Sequence, residues 1–180
     1  MFLFSETLDD TFQWNHIGQI NLTQNNLLTT VPRITNEFEV TFELMADSFV
    51  SSWQSVIHLT INNDIQQYGD RIPAVFIDQT NRIMIASAVN GEKNYYYVSN
   101  VIAVVGTWTK VSICQGQTEG KLMLKFRIDD TVVHSVENGQ PSEFENVKVY
   151  AADPWRDTLG GKIRGLRING NSSCHEGNMC

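Results

Sequence analysis

The sequence predicts an all-β domain, an antiparallel β-sandwich of jelly-roll type. Three observations predict it. First, apolar residues recur with a period of two. Phe38, Val40, Phe42 and Leu44 alternate with Glu37, Glu39, Thr41 and Glu43, and Leu122, Leu124, Phe126 and Ile128 with Lys121, Lys125, Arg127 and Asp129. Such alternation puts one face of a strand in a core and the other in water. Second, these segments belong to a series of roughly ten to twelve short runs of β-forming residues. Third, no run shows the three- and four-residue apolar spacing of a helix.

Taken in order, the half-buried strand at 38–44 is followed by Trp53 to Ile61. Ala74-Val75-Phe76-Ile77 and Arg82-Ile83-Met84-Ile85-Ala86 are apolar on both faces and flank Asp78-Gln79-Thr80-Asn81. Asp and Asn tolerate turn geometry, so this reads as a hairpin near the middle of a sheet. Tyr95 to Val98, Val101 to Val105, Trp108 to Cys114, Leu122 to Ile128, Val132 to Val136, Val147 to Ala151 and Ile163 to Ile168 complete the set. Asn90-Gly91, Gly116, Gly120, Asp129-Asp130, Asn138-Gly139, Gly160-Gly161 and Asn169-Gly170 punctuate it. Trp108 is expected in the core, and Cys114 as a buried thiol. His134, between Val133 and Ser135, is expected to face solvent.

A chain of 180 residues with 42% hydrophobic and 18% charged residues can bury one core without metals or staples. Its net charge is -7, and no basic cluster occurs. Counterion release from phosphates needs a positive stripe, so nucleic acid is excluded as a partner and an anionic membrane surface is disfavoured. No apolar run approaches the roughly 20 residues that span a bilayer.

The second half carries a more particular pattern. Gly106-Thr107-Trp108 leads into a strand, a hairpin runs through Ile128-Asp129-Asp130, and Gly161-Lys162-Ile163-Arg164-Gly165-Leu166-Arg167-Ile168 closes the chain. This resembles the concanavalin A-like sandwich of the laminin-G, pentraxin and legume-lectin kind, with Asp130 standing where Gly is usual. Tyr68-Gly69-Asp70-Arg71-Ile72-Pro73 and Asn146 to Trp155 are similar to laminin-G-like modules of marine invertebrate extracellular proteins, including coral skeletal matrix and lectin-like adhesive proteins. The resemblance implies residues 1–170 as the sandwich and 171–180 as a Cys-containing tail. It also implies an extracellular, non-catalytic recognition or adhesion module for a glycan or a matrix protein. A glycoside hydrolase of the same fold and a purely structural or oligomerisation domain are the alternatives. A homo-oligomer formed through edge strands is compatible with such a sandwich.

Sugars are held by an aromatic face and a few fixed polar partners. Trp53, His58 and Asn62 supply one such set, Asp153, Trp155 and Arg156 a second, and Trp14, Asn15 and His16 a third. Calcium takes six to eight oxygen ligands. Asp64 beside Asn62 and Asn63, Asp153 with Asp157, and Asp129 with Asp130 are the candidate acids, in no metal-loop spacing. Hydrolysis would need paired carboxylates, for which only Glu37, Glu39 and Glu43 share a strand face. Arg71 reads as an ion-pair partner of Asp70 or of a carboxylate across the sheet. Cys174 and Cys180 either close a small local disulfide or open a further Cys-rich module. With the sequons at Asn21 and Asn171 they point to a secreted protein.

Overall fold

A computed structural model describes residues 12–170 and residue 174. Its strands are β1 (Gln13–Asn21), β2 (Leu27–Ile34), β3 (Phe38–Ser48), β4 (Gln54–Thr60), β5 (Ala74–Ile77), β6 (Arg82–Val89), β7 (Glu92–Ile102), β8 (Trp108–Thr118), β9 (Lys121–Ile128), β10 (Thr131–Glu137), β11 (Phe144–Ala151), β12 (Asp157–Thr158) and β13 (Gly160–Gly170). No helix occurs among the described residues. One sheet has the order β1-β13-β3-β8-β9-β10. The other runs β2-β11-β4-β5-β6-β7, with β12 paired in parallel to β4. The remaining pairs are antiparallel, and neighbours in space are often distant in sequence, which is the jelly-roll arrangement.

The core lies between the sheets, and the period-two pattern explains how it is filled. Phe38, Val40, Phe42 and Leu44 of β3 are buried and alternate with half-exposed residues. Ile113, Phe126 and Ile163 join them from the same sheet. Facing them stand Ile57, Leu59, Val75, Ile77, Ile83, Ile85 and Val149 of the second sheet. Each such side chain contributes about 1.5–3 kcal/mol on leaving water.

β4 and β5 are buried on both faces, and so is all but the first residue of β6. Their outward residues build a second apolar cluster of Ala74, Phe76, Met84 and Ala86, against which Trp53 and Val98 pack. The hairpin predicted between β5 and β6 forms as read. Asp78 accepts the backbone N–H groups of Thr80 and Arg82, and Asn81 takes φ 64°.

Three expectations are corrected. His134 does not face solvent. It stacks on Tyr97, with centroids 4.5 Å apart, and its Nε2 lies 2.7 Å from the Tyr95 hydroxyl. A register shift between Val132 and His134 breaks the alternation and turns the ring inward. Trp108 is only half-buried and lies under the Arg164 guanidinium, 4.1 Å from its centroid, on the outer face of the six-stranded sheet. Cys174 is bonded to Cys114, with Cα atoms 5.8 Å apart, and not to Cys180, which lies outside the described residues. Cys114 alternates with the core residue Ile113 and so points outward from β8, where the tail covers it. Gly116 makes room for this crossing: a Cβ there would stand 2.9 Å from Cys174 Sγ.

The bridge closes a loop across a sequence separation of 60. On a chain-entropy account, Cys174→Ser should lower the unfolding free energy by about 4 kcal/mol. The check is a shift of the urea midpoint to lower concentration relative to the oxidised wild type. An unchanged midpoint would show that the bridge does not constrain the unfolded chain.

Candidate functional site

Two loops fold over the outer apolar cluster of the seven-stranded sheet, and one buried histidine ties both down. His58 points outward from β4 yet has no solvent exposure. Its Nε2 lies 2.6 Å from the backbone carbonyl of Asp70 and its Nδ1 lies 2.9 Å from Asp153 Oδ2. Both partners are acceptors, and each ring nitrogen faces one of them.

The first loop spans 61–73. The carboxylate of Asp70, fully buried, accepts the backbone N–H groups of Asn63, Gln66 and Gln67 at 3.0, 2.7 and 2.8 Å. Three chain N–H groups converging on one anion fix the loop without a side-chain core of its own. Backbone bonds from Leu59 to Pro73, Ile61 to Gly69 and Ile72 to Leu59 fasten its ends to β4.

The second loop spans 152–156. Asp153 Oδ1 accepts the backbone N–H groups of Trp155 and Arg156, each at 2.9 Å. Its Oδ2 accepts the Ser55 hydroxyl at 3.0 Å beside His58. Burial by itself pushes the Asp153 carboxyl upward. The hydrogen bond and charge of His58, with the Trp155 N–H and the Ser55 hydroxyl, outweigh that and hold it below the ordinary 3.8.

Between the loops is a cleft of about 270 Å³ lined by Trp53, Ile65, Arg71, Phe76, Met84, Asn94, Tyr96 and Arg156. Arg71 and Arg156 come from different loops and lie over the same Phe76 ring, 4.9 and 5.2 Å from its centroid. Asp64 bridges them, accepting Arg71 Nη2 at 2.7 Å on Oδ1 and Arg156 Nη2 at 2.9 Å on Oδ2. Arg71 also donates from Nε to the Asp64 carbonyl and from Nη1 to Asn94 Oδ1. Burial pulls the Arg71 guanidinium down from its usual value, and the hydrogen bond and charge of Asp64 partly offset this.

Of the residues expected at a sugar site, Trp53 and Arg156 line the cleft. Trp155 is 39% exposed and packs edge-on to His58 and Tyr150, at 5.3 and 6.0 Å. His58 and Asp153 are fully buried and act beneath the surface as supports. Asn62 is exposed, outside the cleft lining, and donates its backbone N–H to Thr60 Oγ1. Trp14 and His16 stack on each other along β1, in the other sheet.

The acids considered for calcium are engaged separately. Asp64 holds the two arginines, Asp153 holds its loop, and the exposed Asp157 accepts the Ser52 hydroxyl. Among the described residues no three His, Cys, Asp or Glu side chains gather as a metal site. Asn21 is exposed, and Asn171 lies outside the described residues.

Arg71, Asn94, Tyr96, Phe76 and Met84 were not singled out as site residues by sequence. The available signal was a pair of strands apolar on both faces: an outward Phe76 and Met84 need a cover, and the cover makes the cleft. The expected ion pair of Arg71 exists, but with Asp64. On the opposite sheet, Glu43 forms a two-pronged pair with Arg164 at 2.8 and 2.9 Å. That hydrogen bond lowers its pKa, whereas a general acid needs a raised one.

No protein-family model and no curated protein matches the chain. Solved structures share its fold. A native heptameric SAP-like pentraxin from Limulus polyphemus aligns with TM-score 0.57 and 11% identity, over 83% of this chain and 74% of that one. The Ruminococcus gnavus IT-sialidase CBM40 bound to alpha2,3 sialyllactose aligns with TM-score 0.57 and 10% identity, over 88% and 93%. The receptor-binding domain of botulinum neurotoxin type G gives TM-score 0.52 and 15% identity, over 90% of this chain and 41% of that one. At these identities the likeness shows the jelly-roll β-sandwich.

Asp153→Asn should cost about 1–3 kcal/mol, because an amide NH2 group replaces a buried carboxylate oxygen that accepts hydrogen bonds. Since the folded carboxyl titrates below 3.8, the contribution of its ionised form is full above that value and drains away as pH falls through the folded value. Urea unfolding of both proteins across the acid range checks this: the gap between them should narrow on acidification. A gap that does not narrow would show that the ionised carboxylate does not contribute to it.

Proposed function

We propose that this domain is a non-catalytic extracellular recognition module that binds glycan in the cleft on the outer face of the seven-stranded sheet. The observation that carries the reading is the lining itself. Trp53 and Tyr96 offer aromatic surface for the C–H face of a sugar, while Arg71, Arg156 and Asn94 supply oriented polar groups. Trp155, His58 and Asp153 serve the site by holding the loop that presents Arg156. Asn62 stands on the loop that presents Arg71, and its exposed side chain extends the rim.

The sialyllactose carried by the R. gnavus module, a structure of the same fold, supports glycan as the ligand class. Among the described residues no carboxylate lines the cleft, which speaks against glycoside hydrolysis there, since that chemistry uses a pair of them. A disulfide between Cys114 and Cys174 suits an oxidising compartment, and the exposed sequon at Asn21 is open to glycosylation. Among the described residues no helix is long and apolar enough to cross a membrane. A matrix glycoprotein of the kind met by laminin-G-like modules in marine invertebrates would present such a glycan.

The test is a glycan array run with calcium and again with EDTA, on the wild type and on Trp53→Ala and Arg156→Ala. Selective retention of a glycan class is expected in both conditions, because the candidate calcium ligands are already engaged. Each substitution should weaken it at least about tenfold, and Arg156→Ala should do so while leaving the thermal midpoint within a few degrees. Blank arrays in both conditions would overturn the reading.

A further inference from the structure

We infer that the cleft is built for a sugar bearing an acidic group, a carboxylate or a sulfate ester, rather than for a neutral sugar. This rests on the glycan reading above and specifies its chemistry.

The argument is a count of hydrogen-bonding capacity. A guanidinium has five N–H donors and no acceptor. Arg156 uses Nη2 on Asp64, and its Nε is buried without a hydrogen-bond partner, so the donors it can offer a ligand are on its terminal nitrogens. Arg71 is more fully engaged, through Nε, Nη1 and Nη2. Asn94 accepts Arg71 on Oδ1, which leaves its two amide N–H groups and one Oδ1 lone pair. The indole of Trp53 can only donate. Asp64, the nearby acid, accepts one arginine N–H on each oxygen and does not line the cleft. Among the described lining side chains the remaining acceptors are the Tyr96 hydroxyl and the second lone pair of Asn94 Oδ1, so donors are in the majority.

A neutral sugar carries hydroxyls that each donate as well as accept, and its donors would find little to bind. A carboxylate or sulfate accepts at every oxygen and matches a donor-rich lining. Charge agrees with this. At the cleft two guanidinium groups face one carboxylate, Asp64, with Asp70 and Asp153 buried beneath the loops, on a chain of net charge -7. Lys93, whose ammonium donates to the Gln66 carbonyl at 3.1 Å, adds a further cation beside the first loop. Desolvation strengthens the match, because Arg71 is only 2% exposed and Phe76 lies beneath both arginines.

Isothermal titration tests it on the whole chain with sialyllactose, a glucuronic-acid-ended disaccharide, lactose sulfate and lactose. At least one acidic probe is expected to bind about tenfold or more tighter than lactose, the worth of a charge-assisted hydrogen bond. That advantage should shrink severalfold at high salt and vanish in Arg156→Gln, a partly exposed position that the fold tolerates. The carboxylate and sulfate probes separate the two sources of charge. Arg156→Lys keeps the charge without the fork, and is expected to retain only part of the advantage.

Equal affinity for lactose and the acidic probes would overturn the inference and leave the glycan reading standing. So would acidic binding that Arg156→Gln does not alter. If these four probes and the array are all blank, the glycan reading itself falls, and the inference with it.

Discussion

The contact between His58 and Asp153 organises the outer face of the seven-stranded sheet. Both side chains are fully buried, and a charge pair taken out of water is stable only when its remaining hydrogen-bonding positions are filled. Here they are. Asp153 receives the Ser55 hydroxyl and two chain N–H groups besides the imidazole, and the far side of the imidazole meets the Asp70 carbonyl. One ring thus ties together two loops that are about eighty residues apart along the chain. Asp70 and Asp153 repeat the same device, a buried carboxylate gathering N–H groups from the segment next to it, so each loop has a fixed shape before it meets the other.

On that platform the cleft becomes a matter of charge placement. Arg71 and Arg156 would repel each other if left alone over one aromatic ring. Asp64 between them removes most of that repulsion and sets their planes, and the Asn94 amide holds Arg71 from the side. The result is a site organised before any ligand arrives, which lowers the entropic cost of binding. The same pairing occupies Nη2 of each arginine and leaves Arg156 with donors on its terminal nitrogens.

How far the sequence could be read depended on how local each determinant is. The alternation in β3 and β9 is set by residues two apart, and the hairpin between β5 and β6 by four consecutive turn residues; both were legible. His134 was not, because a register shift inside β10 reverses which way its side chain points, and a bulge leaves no mark in the period-two pattern. Cys114 reads in sequence as a buried thiol because it lies within an apolar strand pattern. Its outward face is in fact closed by the tail, a contact 60 positions away. The site divided along the same line. Trp53 and Arg156 belong to two of the sets that the sequence offers for a sugar, each an aromatic ring with nearby polar residues. Arg71, Asn94 and Tyr96 join them through loops and strands that only the tertiary fold brings together.

The bridge from Cys174 to Cys114 also has a mechanical meaning. β13 is an eleven-residue strand hydrogen-bonded along both edges, and a pull on its end would peel those bonds one at a time. With the bridge in place, tension arriving from beyond residue 174 passes through sulfur into β8, an inner strand flanked by β3 and β9, before it can unzip β13. A load applied there would therefore enter through one sheet of the sandwich, while the cleft opens on the outer face of the other.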